Sequence, residues 1–191
     1  MTSTRWLAPV VAVLLALTLS GCSSDDKADK PKSTLPQGIL TKSDMPFDAT
    51  SDGSLGRPPI LTQLGTSCLG IEQGVLYDAG WKVKAHEYFD SSEWTVISAV
   101  FTPPADAGDG LAQVRTETED CIPREKNAKV APLDLGDDAW GYEITTPEGE
   151  FNAARAYTEL SGGRLAQVSV MKLPKGKDAT PVLQDLVDKV D

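Results

Sequence analysis

The segment Glu93–Phe101 reads EWTVISAVF and is apolar on both of its alternating faces. A strand with one wet face alternates apolar and polar residues, so a run without that alternation belongs in the middle of a sheet. Just before it, Trp81–Asp90 reads WKVKAHEYFD. Trp81, Val83, Ala85 and Phe89 are apolar, whereas Lys82, Lys84, His86 and Tyr88 are polar or amphipathic, which is the period of a half-buried strand. Ser91-Ser92 follows Asp90 and joins the two runs at close to hairpin length. Pro103-Pro104 stops the second strand.

The remaining segments are arranged around this pair. Gly38–Pro46 reads as a short strand or turn entry, and Asp48–Pro59 as loop, punctuated by Asp52-Gly53 and Pro58-Pro59. Ile60, Leu61, Leu64 and Cys68 recur at near-helical spacing and predict a short helix that carries Cys68 to the core. Gly70 and Gly74 weaken any longer helix. Asp106–Cys121 is helical in pattern, with Leu111, Val114, Thr118 and Cys121 on one stripe. Three further strands follow. Trp140, Tyr142 and Ile144 alternate with Gly141, Glu143 and Thr145; Phe151–Glu159 comes after Pro147-Glu148-Gly149; and Ser161-Gly162-Gly163 turns the chain into Arg164–Met171. Pro181 opens a last helix with an apolar stripe of Val182, Leu183, Leu186, Val187 and Val190. The order predicts a single α+β domain: an antiparallel β-sheet of about five to six strands with helices packed on one face.

The N-terminus has a different grammar. After Arg5, the chain is almost wholly apolar from Trp6 to Leu19. That is shorter than the ~20 residues of a spanning helix and suits a signal-peptide core. It ends in Leu19-Ser20-Gly21-Cys22, which resembles a bacterial lipobox. The expectation is a lipoprotein signal peptide over residues 1–21 and a lipid on Cys22. That lipid would hold the protein on the outer face of the cytoplasmic membrane. Residues 22–37, rich in Ser, Asp, Lys and Pro, read as a flexible tether to a domain at 38–191.

The formal net charge of −10 is spread along the chain. It argues against nucleic acid and other polyanions as partners, since their binders present a basic patch. Of the three cysteines, Cys68 and Cys121 remain once Cys22 is set aside. In an exported domain such a pair is expected to form a disulfide. It would close a loop of about 53 residues, worth roughly 4 kcal/mol in chain entropy at most. Two buried thiols or one reactive cysteine are the alternatives.

No segment carries a catalytic or cofactor motif. His86 is the only histidine and reads as a solvent-facing strand residue. Asp48, Asp52-Gly53 and Asp106–Gly110 are explained by turn chemistry rather than by calcium. Asp134, Asp137, Asp138 and Glu143 could serve a hydrolase only by converging in a groove. Trp94, Trp140, Tyr142 and Tyr157 are the aromatics of interest, and Arg155 shares strand parity with Tyr157. An Arg among aromatics on one sheet face can line a pocket for an amphipathic or anionic ligand.

Several short motifs together resemble the actinobacterial surface proteins that share a PknH-like extracellular sensor domain. They are Ile39-Leu40-Thr41-Lys42-Ser43-Asp44-Met45-Pro46, the Cys68 segment before the hairpin, the helix ending in Cys121, and Leu135-Gly136-Asp137-Asp138-Ala139. The Gly163–Met171 strand and the terminal helix also fit. The resemblance implies a sheet with a cleft for an unidentified ligand. With one cysteine pair, the second disulfide of the kinase sensor cannot be carried over. A looser resemblance is to mycobacterial lipoproteins of the LpqN type, with a Mog1/PsbP-like fold. The functional expectation is a membrane-anchored, non-enzymatic sensor or ligand-binding lipoprotein, without cofactor or metal. Its partners would be the membrane and an envelope ligand or membrane protein. A protein-interaction accessory module is the alternative, and a secreted hydrolase the weaker one.

Overall fold

The computed structural model describes residues 35–58, 72–90, 94–146, 152–173 and 176–190. The signal peptide, Cys22, most of the tether and the short helix expected to carry Cys68 lie outside the described residues. The described residues form one sheet of seven antiparallel strands with three α-helices. The strands are β1 (Ser51–Leu55), β2 (Lys82–Phe89), β3 (Thr95–Thr102), β4 (Lys129–Leu133), β5 (Ala139–Thr145), β6 (Asn152–Leu160) and β7 (Arg164–Met171). The helices are α1 (Gly74–Asp78), α2 (Gly110–Cys121) and α3 (Ala179–Val187). Spatial order is β1-β2-β3-β7-β6-β5-β4, so two meanders meet at the β3–β7 seam.

The α+β class and the antiparallel sheet agree with the sequence reading. The strand count is higher than expected, because both edge strands escaped it. An edge strand is hydrogen-bonded along one side only and needs little apolar pattern of its own. β1 reads SDGSL, and β4, KVAPL, contains Pro132, which an edge tolerates and a central strand does not.

Helices cover both faces, not one. Strand alternation sorts the core into two layers. On one face, Leu183, Leu186 and Val187 of α3 pack on Val96, Ala154, Ala156, Ala166, Val168 and Val170. Leu40, Met45 and Ala49 from the N-terminal segment join this layer. The Leu40 N–H donates to Ser98 Oγ at 3.0 Å, and the Tyr88 hydroxyl donates to the Leu40 carbonyl. On the other face, Leu76 of α1 and Val114 and Cys121 of α2 pack against Ala85, Ala99, Phe101, Tyr142, Ile144, Tyr157 and Leu165. Strands buried on both faces require a cover on each.

Local chemistry fixes the helix starts. Asp109 caps α2, its Oδ1 accepting from the Ala112 N–H at 2.8 Å. The helix therefore begins at Gly110, after the Asp106 expected from the pattern. Only glycine fits at this first position, because a Cβ would lie 2.5 Å from Cη2 of Trp81. Asp178 caps α3 in the same way, accepting from the Thr180 N–H at 3.0 Å.

Gly141 is the tightest point of the sheet. A Cβ there would stand 2.6 Å from the Arg155 carbonyl oxygen and 2.9 Å from Leu135 Cδ1. Backbone cannot yield as a flexible side chain does, so Gly141→Ala is expected to cost about 1–3 kcal/mol by overpacking. Equilibrium denaturation checks it: unchanged stability would mean that the β5–β6 spacing is more forgiving than this geometry.

Candidate functional site

Antiparallel register sets side chains from neighbouring strands side by side on one face. Tyr142, Arg155 and Ser169 form one such row across β5, β6 and β7. Trp140, Tyr157 and Gln167 form the next. Both rows lie beneath α1 and α2. Three of the expected ligand-binding residues, Tyr142, Arg155 and Tyr157, are thereby brought together, and all three are fully buried.

The group that unites them was not singled out in the sequence. Glu72, two residues before α1, drops its carboxylate onto the two rows. Its Oε1 accepts from Tyr142 Oη at 2.6 Å, from Arg155 Nη1 at 2.6 Å and from Tyr157 Oη at 2.8 Å. Arg155 Nε donates to Ser169 Oγ at 2.9 Å, and Gln167 Nε2 donates to the same oxygen at 3.0 Å. The side chains of Arg155 and Glu72 are 0% and 2% exposed, so the ion pair is formed out of water. Among the described residues, Glu72 Oε2 and Gln167 Oε1 are buried without a hydrogen-bond partner.

Burial alone would push the Glu72 carboxyl up. The charge of Arg155 and the hydrogen bonds from Tyr142, Arg155 and Tyr157 outweigh it and hold the group below the ordinary carboxylate range. Burial, and after it the Glu72 charge, raises Tyr142 and Tyr157 well above the usual phenol range. The cluster therefore holds one carboxylate, one guanidinium and two neutral phenols. A carboxylate so stabilised is a weak base, and the guanidinium beside it is already engaged.

The other expected residues are placed differently. Trp94 lies in the α3 layer, on the opposite side of the sheet, with its ring 4.9 Å from that of Phe47. Trp140 stacks at a tilt on Tyr142, centroids 5.6 Å apart, and also lines an open groove of about 650 Å³. This groove runs between α2 and the β4–β5 connection. Leu111 and Leu135 add apolar wall, while Asp109, Asp134 and Asp137 add carboxylates. Arg115 and Glu119 also line it and pair with each other at 2.8 Å. Asp138 and Glu143 are not in its lining. His86 is half-buried rather than solvent-facing: its Nε2 is 3.6 Å from Asp52 Oδ1, and its ring is 4.8 Å from that of Tyr88. Cys121 is buried at the end of α2 and is not a free thiol; Cys68 lies outside the described residues.

No protein-family model matches the chain, and no curated protein matches its sequence. The functional reading rests on the chain's own chemistry.

Glu72 could have been anticipated in kind though not in place. An arginine on a buried sheet face demands a counter-charge. With 28 acidic residues, nothing in the spacing singles out Glu72.

Two outcomes follow from this cluster. Glu72→Gln and Arg155→Met each leave a buried charge unpaired and are each expected to cost about 3–5 kcal/mol. The double replacement Glu72→Gln/Arg155→Met should cost clearly less than the sum, a coupling measured by denaturation in a double-mutant cycle. Additive losses would show that the pair is not an energetic unit. The Glu72 carboxyl is held below its ordinary value of 4.5, so its contribution is complete above that pH. It is lost as pH falls through the lower folded value. Stability measured against pH should decline on acidification in the wild type more steeply than in Glu72→Gln.

Proposed function

We propose that the chain is a lipid-anchored, non-enzymatic lipoprotein of the cell envelope whose 38–191 domain binds a ligand, in the manner of PknH-like sensor domains. The observation that carries the ligand-binding part is the groove of about 650 Å³ walled by Trp140. Its size is in the range of small-molecule sites; a second groove of about 660 Å³ beside Pro103, Pro104 and Gly162 is as large, so Trp140 and the carboxylates, not volume, set this one apart. A groove that reaches the largely buried Trp140 and is ringed by Asp109, Asp134 and Asp137 suits a hydroxyl-rich or cationic group and repels polyanions. The Arg155 cluster supports the wall rather than the contact surface, since Tyr142 carries Trp140 on one side and Glu72 on the other. The anchor rests on Leu19-Ser20-Gly21-Cys22 at the end of the apolar run. A disulfide between Cys68 and Cys121 would complete the domain.

Two measurements test this. Titration of the protein with envelope glycan fragments and extracted lipids should raise its melting temperature in a dose-dependent way. Trp140→Ala should abolish that rise while the protein still unfolds cooperatively. No rise across the set would transfer the reading to the accessory module that binds another envelope protein, to be sought by crosslinking on intact cells. For the anchor, metabolic labelling with a radioactive fatty acid should mark the wild type and not Cys22→Ser. Label on both would remove Cys22 as the lipid site.

A further inference from the structure

Three hydrogen-bond donors converge on one point beneath α1. Arg155 Nη1, Tyr142 Oη and Tyr157 Oη each lie 2.6–2.8 Å from a single carboxylate oxygen. All three side chains are fully buried, and strand register holds them in place. Arg155 is further oriented by Ser169, which Gln167 also contacts. A guanidinium flanked by two neutral phenols is the donor set of a carboxylate receptor: charge-assisted, fixed in geometry and shielded from water. We propose that Arg155, Tyr142 and Tyr157 form such a receptor, that Glu72 is its internal occupant, and that a small free carboxylate can take the place of Glu72.

The way Glu72 sits in the receptor favours exchange. It uses one oxygen for all three donors, and Oε2 is buried without a partner among the described residues. A resident that leaves one of its own oxygens unsatisfied fits less well than a mobile carboxylate free to turn both oxygens to donors. Glu72 also stands at the entry of α1, which is five residues long and has no side-chain cap. Displacing Glu72 removes one attachment of the α1 entry to the sheet, while buried Gln73 and Leu76 keep the others. This site is separate from the groove beside Trp140, and its test does not depend on that groove.

Chemical complementation tests it. Glu72→Ala removes from the side chain the equivalent of one acetate. Acetate should raise the melting temperature of Glu72→Ala progressively and saturably, while chloride at matched ionic strength should not. Wild type, whose receptor is filled by a tethered carboxylate, should need far more acetate for the same rise. Adding Tyr157→Phe to Glu72→Ala removes one donor and should move the acetate midpoint several-fold higher. If Glu72→Ala does not fold by itself, recovery of near-ultraviolet circular dichroism on refolding into acetate, and not into chloride, supports the receptor. No recovery in acetate, where Glu72→Gln folds, overturns it. Equal effects of acetate, phosphate and chloride also overturn it, since they report ionic strength alone.

Discussion

A single carboxylate ties the segment before α1 to the centre of the sheet. Glu72 reaches across 83 residues of sequence to Arg155 and takes hydrogen bonds from two tyrosines on the way. The attraction between the charges is strong where water is excluded, but so is the cost of desolvating them. Such a pair adds little net stability; what it fixes is geometry, because Arg155 is buried and its charge is met where Glu72 sits over it. The apolar layers drive collapse, and the pair decides which collapsed state is acceptable.

That division of labour explains how the two faces differ. Under α3 the sheet presents Ala154, Ala156 and Ala166, which leave room for the helix to sit close, while Tyr88 and Trp94 fill the rest of that layer. The α1–α2 face also carries large aromatics, and its centre is polar. Trp140 lies at the margin of that face, against Tyr142 on one side and the open groove on the other. Trp140 is itself buried and held in place, so little rotamer freedom remains for it to lose if a ligand reaches it from the groove.

The sequence was most legible where burial is two-sided or where caps and turns punctuate it. β2, β3, β5, β6, β7 and the terminal helix all lie where alternation and helical spacing placed them, and Arg164–Met171 matches to the residue. β1 and β4 were missed because edge strands take their conformation from a neighbour's backbone rather than from their own side chains. The assignment of all helices to one face failed for a related reason. Alternation says that a strand has two faces, and EWTVISAVF says that both are apolar, but neither says which helix covers which. Of the site, strand parity brought Arg155 and Tyr157 together, and register added Tyr142. Trp94 was misgrouped, since composition alone cannot separate aromatics on opposite faces. Glu72 was invisible because a buried acid looks like any surface acid until its partner is known.

The seam between β3 and β7 has a consequence for how the chain finds this structure. Each meander pairs strands that are neighbours in sequence; β2–β3 and β4–β5–β6–β7 close through short connections, whereas β1 and β2 are separated by residues 56–81 with α1. The seam joins residues from the two halves and can form only when both exist, and contacts so distant in sequence slow folding. Sheets are prone to pairing one residue out of step, and such a slip turns every side chain to the opposite face. For β6 that error would aim Arg155 at the apolar α3 layer, where it would be a buried charge among aliphatic side chains. Only the native register of β6 brings Arg155 to Glu72, so the ion pair penalises the slipped one.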